Sequence, residues 1–117
     1  MVDTQILPMK RHSHNINIKY INMRYVPIVY LICFIDTNTF YIGYSLNGSD
    51  RIQNHFTHEK TPSGKPNYVY YEALKNKDIE VRVLKACKSK YEAKIWETKY
   101  IKNKRKLFGN RLLNILD

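Results

Sequence analysis

From Pro27 onward the apolar positions run almost unbroken through "PIVYLICFID", pause at "DTNT" and resume in "FYIGYS". Two such runs separated by turn residues predict a β-hairpin. "LNGSD" then supplies turn formers, and Ser49 or Asp50 is placed to cap a helix through "RIQNHFTHEK". "TPSGKPN" reads as a loop and "YVYYEALKNK" as a second short helix. In "IEVRVL", Ile79, Val81 and Val83 alternate with polar residues, the pattern of a half-buried strand. Ser89 followed three residues on by Glu92 is a capping box, opening a long helix to about Arg105. The order β-β-α-α-β-α, closed by the short tail "FGNRLLNILD", predicts an α+β domain over residues 25–117. Its core is a small three-stranded antiparallel sheet flanked by helices. Residues 1–24 differ: "MKRHSHNINIKYINMR" is basic and polar, and only "NINIKY" alternates. They read as a basic arm, partly mobile or adding one edge strand.

The hairpin carries two phenols and a glycine on one side. A turn centred on Thr37-Asn38 sets Phe34 opposite Tyr41, Ile32 opposite Gly43 and Tyr30 opposite Ser45. Any even-length turn leaves Tyr30, Tyr41 and Gly43 sharing a face. With no side chain at Gly43, that face has a shallow hole rimmed by two hydroxyls, fit for a phosphate and a water. The plainer alternative is that the tyrosines pack a core and Gly43 sits in a bulge. On the helix that follows, Arg51 and His55 share one side, with His58 a turn further on and Ile52 and Phe56 facing the core. Arg and His so placed meet a phosphate, or are simply solvated. On the long helix Ala93, Trp96, Tyr100 and Ile101 form an apolar arc with Glu97 inside it. A carboxylate there needs a partner. The choices are a salt bridge, for which Arg82 is the candidate, or a hard cation such as Mg²⁺ or Mn²⁺.

Composition narrows the partner. The 117 residues hold 20 Lys and Arg against 10 acids, a net charge of +10, with 44% hydrophobic residues and 10 Tyr. A folded domain with a polyanion partner follows: DNA, RNA or an anionic membrane surface. No apolar run reaches membrane-spanning length and no signal peptide is visible, so the protein is expected to be intracellular (cytoplasm, or nucleus in a eukaryotic or viral host) and not secreted. Cys33 and Cys87 lie in apolar strand-like runs and read as reduced, buried side chains; two cysteines do not make a four-ligand zinc site.

Taken together, these residues resemble the GIY-YIG nuclease family. The second motif is intact as Tyr41-Ile42-Gly43, and the first stands as Ile28-Val29-Tyr30, with ten residues between the two. Arg51 falls eight residues after the motif glycine, His55 one turn later, Glu97 in "ETKYI", and Asn114 in "LLNI", with Asn110 as the fallback. The resemblance spans residues 27–115, with Ile28 where the family has glycine. It implies hydrolysis of DNA phosphodiester bonds with one Mg²⁺ or Mn²⁺ per site, held by Glu97. Tyr30 would be the general base, directly or by passing the proton through His55. Arg51 would stabilise charge on the phosphate, Tyr41 would bond the phosphate or water, and Gly43 and Asn114 would support the site.

A free phenol is a poor base, ionised in about one molecule in a thousand at pH 7, so Tyr30 needs a nearby cation; His55 is the rival that needs none. Lys60 and Lys65 on the loop, with Arg51 and His58, are the candidate DNA contacts. Little chain remains for a separate sequence-reading module, so selectivity is left to the arm, the loop, DNA shape, a homodimer or a partner protein. An acid–lysine nuclease motif, Glu97-Thr98-Lys99, belongs on a strand in that other fold, whereas here it falls in a helix. Two-metal chemistry needs clustered carboxylates, and these acids are scattered. The remaining alternative is a catalytically inactive nucleic-acid-binding domain, in which tyrosines stack on bases.

Overall fold

The computed structural model describes residues 15–18, 26–48 and 52–114. Among them β1 is Asn15–Ile18, β2 Ile28–Phe34, β3 Thr39–Ser45, α1 Ile52–Thr57, α2 Tyr68–Ala73, β4 Asp78–Ala86 and α3 Lys90–Phe108, followed by a 3₁₀ turn at Gly109–Arg111. The sheet order is β1-β4-β2-β3. The three antiparallel strands are those expected, and the alternation of "NINI" adds a fourth, parallel to β4 at its edge. The rest of the basic arm, Ser49, Asp50 and Arg51 lie outside the described residues.

The hairpin register differs from the expected one by two residues. Tyr30 pairs with Gly43, Ile32 with Tyr41 and Phe34 with Thr39, so the turn occupies Ile35–Asn38. Its position is set by tertiary bonds rather than by turn propensity. Asp36 Oδ2 accepts from the Lys77 and Asp78 backbone N–H groups at 2.5 and 3.3 Å, and Thr37 N–H donates to Asn76 Oδ1 at 3.0 Å. Asn38 takes the left-handed conformation, φ 54°, that closes the turn. Because the shift is even, every side chain keeps its face.

One face carries Ile28, Tyr30, Ile32, Phe34, Ile79 and Val81 against Ile52 and Phe56 of α1 and Val69 and Ala73 of α2. The other carries Val29, Leu31, Cys33 and Ile42 against Ala93, Trp96 and Tyr100 of α3. Cys33 and Cys87 are both buried thiols, as expected, and burial pushes each above the usual thiol range. The β2–β4 ladder slips between Val29, opposite Lys85, and Tyr30, opposite Val83, leaving Leu84 as the extra residue of a β-bulge. The Tyr100 hydroxyl donates to the Leu84 carbonyl at 3.2 Å. The bulge also turns Lys85 onto the α3 face, where its ammonium sits 4.7 Å from the Trp96 ring centre.

The helices follow their local signals with two differences. Ser89 Oγ accepts from Glu92 N–H at 3.1 Å, but the Glu92 carboxylate reaches the N–H of Lys88, one residue before the cap, at 2.6 Å. That helix continues past Arg105 to Phe108, where the ring stacks on Phe40 at 3.9 Å. Helix α1 stops at Thr57, short of the expected Lys60. The side-chain amide of Asn67 donates to the carbonyls of His55 and His58 at 3.2 and 2.8 Å, satisfying groups that a longer helix would have bonded itself.

The turn is braced by Glu72, a buried carboxylate that accepts from the Thr39 hydroxyl at 2.6 Å and pairs with Lys75 at 3.4 Å. Burial pushes its carboxyl up, but the Thr39 and Thr37 hydroxyls and Lys75 outweigh burial and hold it below the ordinary glutamate range. Glu72 therefore contributes fully above the unfolded carboxylate value, and its contribution is lost as pH falls through the folded one. Glu72→Ala is expected to lower the unfolding free energy by about 1–3 kcal/mol at neutral pH. In urea titrations the gap from wild type should narrow on acidification.

Candidate active site

Tyr30 projects from the middle of β2 and is 1% exposed. Its ring lies across Gly43, the residue directly opposite. A Cβ built on that glycine would stand 2.5 Å from the phenolic oxygen and 2.7 Å from Cζ. The space Gly43 leaves is thus filled by the Tyr30 phenol, and the open hole expected between the two hydroxyls does not exist. From there the phenolic oxygen shares a hydrogen bond of 2.5 Å with Nε2 of His55 on α1. The His55 ring also meets Tyr41 edge-on, with ring centres 5.6 Å apart. The structure brings Tyr30, Tyr41, Gly43 and His55 together.

Three connections hold this group in place. Ile52 and Phe56 anchor α1 in the core, which presents His55 to the sheet. Asn67 ties the end of α1 to the start of α2, since its Oδ1 also accepts from Tyr70 N–H at 3.3 Å. The third is at the sheet edge, where Asn114 pairs its side-chain amide with both backbone groups of Ile42, at 2.8 and 2.7 Å, as a neighbouring strand would. Leu113 N–H donates to Phe40 O at 2.7 Å in the same manner. This tail is gripped by Arg105, whose guanidinium donates to the carbonyls of Gly109, Leu112 and Asn114. Asn114, rather than the exposed Asn110, is therefore the asparagine at the site. Asn67 and Arg105 went unseen in the sequence. An asparagine following Pro66 and opening a helix is a capping signal that marks the first; nothing local marks the second.

A cleft of about 930 Å³ opens beside these rings, lined by Tyr41, His55, His58, Lys60 and Asn114 among others. Lys60 borders it, whereas Lys65 lies on the exposed loop, where its carbonyl accepts from Thr61 N–H at 2.8 Å. Ile28, in the place of the family's first glycine, is fully buried on the Tyr30 face.

Glu97 stands apart from this cleft. It is half-buried on α3, which packs on the opposite face of the β2–β3 pair. Its neighbour Trp96 lies under Lys85, which pairs with Val29 of β2. Glu97 and the Tyr30–His55 pair thus belong to opposite faces of the sheet. The candidate partner Arg82 is engaged by Glu80 instead. Among the described residues no hydrogen bond or ion pair reaches the Glu97 carboxylate. Burial pushes it above the ordinary range, opposed only in part by Lys94. Nor is there a group of three or more His, Cys, Asp or Glu among the described residues able to hold a metal.

The GIY-YIG catalytic domain model matches residues 26–112. The chain belongs to the GIY-YIG family. A GIY-YIG domain is typically a nuclease domain, which implies DNA as substrate, and these nucleases are generally dependent on a divalent metal. Comparison with curated proteins and with solved structures found no match. No helix among the described residues is long and apolar enough to cross a membrane.

In this GIY-YIG domain the contact between Tyr30 and Gly43 has a direct test. Gly43→Ala should destabilise by about 1–3 kcal/mol, the cost of overpacking a fitted core. Chemical denaturation of a double-mutant cycle is expected to show a smaller penalty in a Tyr30→Ala background, where the opposing ring is gone.

Proposed function

We propose that this domain hydrolyses phosphodiester bonds in DNA, with Tyr30 and His55 acting as one proton-accepting unit and Glu97 holding a single Mg²⁺ or Mn²⁺. The observation that carries the reading is the 2.5 Å bond between the buried phenol and the imidazole beside the cleft. When Nε2 carries the imidazole proton it donates to the Tyr30 oxygen, which fixes the ring orientation and makes Nδ1 the basic nitrogen. The resemblance makes Tyr30 the first acceptor. Its burial, with His55 lining the cleft, supports the other order: His55 takes the proton of the attacking water while Tyr30 holds the ring. The oxygen of that water bonds to phosphorus, the phosphorus–oxygen bond to the leaving sugar breaks, and the leaving oxygen gains a proton.

The other residues serve binding and charge. Tyr41 on the cleft wall is placed to bond the phosphate or the water. Arg51, immediately before α1 in sequence, supplies the positive charge that a pentavalent phosphate demands. Lys60, Lys65 and His58 contact the DNA backbone. The donor set at Glu97 suits a hydrated hard cation, because a half-buried carboxylate that no hydrogen bond or ion pair among the described residues engages keeps its oxygens for such an ion. Bound there, the ion would neutralise charge on the phosphate and leaving oxygens. Target selection would come from the basic arm, a second copy of the chain or a partner protein.

Plasmid nicking across a divalent-metal titration tests this. His55→Ala is expected to lose about 10²–10⁴ in rate, the worth of a general base, and Tyr30→Phe less. The reverse ranking would make Tyr30 the first acceptor. Wild type that nicks neither plasmid, branched nor single-stranded DNA would instead be a binding domain.

Glu97→Gln should abolish nicking at every metal concentration while raising the melting temperature of the metal-free protein at neutral pH. The sign follows from the raised carboxyl: above its folded value the ionised form bears the burial penalty, and glutamine does not. That stabilisation should fade as pH falls through the folded value, and wild-type nicking should fade over the same range.

A further inference from the structure

The outer face of α2 carries a feature that the proposed chemistry leaves unused. Tyr68 lines the cleft and is 64% exposed, and Tyr71, three residues on and on the same side of the helix, is 43% exposed with its ring edge-on to that of Tyr70. Two such exposed tyrosines one turn apart contrast with the buried Tyr30 and Tyr70. Residues three apart on a helix hold their Cβ atoms about 5–6 Å from one another, a spacing at which consecutive bases of an unstacked strand can each lie on one ring. The cleft offers the matching polar groups. Asn47 and Asn54 line it, and no hydrogen bond within the described residues occupies either side-chain amide. By contrast, the neighbouring amides of Asn67 and Asn114 are spent on the backbone. Lys60 on the same wall adds positive charge for a phosphate.

We infer that the cleft and the Tyr68–Tyr71 face form a track for unpaired nucleotides, so that the preferred substrate is DNA with a single strand leaving the duplex next to the cleavage point. Tyr68 stacks the first unpaired base and Tyr71 the next. Asn47 and Asn54 bond the base edges, and Lys60 meets the intervening phosphate. Aromatic stacking is indifferent to sequence because every base has a π-face, so the track reads strandedness rather than sequence. A base still paired in a duplex must first be unstacked to reach it, and a base already unpaired need not be. This assignment concerns the substrate of the site proposed above and rests on that reading for its cleavage aspect.

The test compares binding of two labelled DNAs that share one duplex, one blunt and one with a thymidine tail, by fluorescence anisotropy with EDTA present. Wild type should bind the tailed DNA about tenfold or more tightly. In Tyr68→Ala/Tyr71→Ala the ratio of the two affinities should fall to about one, and in Tyr68→Phe/Tyr71→Phe it should persist, since the rings remain. Equal affinities in wild type, or an undiminished ratio in the double alanine variant, would overturn the inference. Circular dichroism of the exposed-site variants checks that they fold. Metal-dependent nicking of plasmid by wild type is scored separately: its absence would sink the nuclease reading and leave the track intact if the tail preference holds.

Discussion

The site depends on one close approach, that of the Tyr30 ring to the backbone of Gly43. A phenol can lie across the opposite strand only where that strand has no Cβ, because even a methyl group would overlap the ring. This contact fixes two things at once. It ties the β2–β3 register, since a two-residue slip would bring Tyr41 or Ser45 opposite the ring. It also sets the phenolic oxygen over Gly43, where it meets Nε2 of His55 on α1. The motif glycine thus acts through where it lets another side chain go.

Around that contact the domain spends its polar groups on position. Asn67, Asn114 and Arg105 bond mainly backbone atoms, and each ties one element to the next: α1 to α2, the tail to β3, and α3 to the tail. Arg105 is the least expected of them. Among the described residues its Nε is buried without a partner and no carboxylate pairs with its guanidinium. The guanidinium instead lies at the C-terminal end of α3, where the helix dipole and three carbonyls offer negative charge. The planar fork of arginine reaches several carbonyls at once, and lysine has no such geometry. By fixing the tail, the arrangement covers the β3 edge at Phe40 and Ile42, which an exposed edge strand requires.

What could be read from the chain beforehand followed the range of the interaction concerned. The hairpin, the Ser89 cap of α3 and the face shared by Tyr30, Tyr41 and Gly43 rest on local signals, and all are present in the structure, with the Glu92 carboxylate displaced to the Lys88 N–H. The face assignment survived an error in register because side chains alternate with a period of two and the error was even. The turn itself was misplaced because Asp36 and Thr37 bond residues some forty positions away, in the segment before β4. The length of α1 was overestimated for a similar reason: Asn67 competes for its carbonyls from the next helix. The filled hole at Gly43 could not be foreseen from strand pairing, since pairing gives the face of a side chain but not its tilt. Glu97 was legible as a misfit in an apolar arc, but its place on the face opposite the Tyr30–His55 pair depends on how α3 packs on the sheet.

That placement has an electrostatic consequence for the proposed reaction. A base that accepts a proton becomes a cation, so a second cation nearby opposes the transfer. At an effective dielectric of about 20, two unit charges 4 Å apart interact by about 4 kcal/mol, and a divalent ion doubles the figure. Held on the same face as His55, such an ion would suppress the proton affinity the imidazole needs. Carrying Glu97 on α3, on the opposite face of the sheet from the Tyr30–His55 pair, would lengthen the distance between the two charges. The repulsion falls in proportion to distance, and the substrate, negatively charged and lying between the two, screens it further. Placing the acid and the proton acceptor on opposite faces of the sheet would therefore let a small domain set a cation and a neutral base against one phosphate without pressing the two positive charges together.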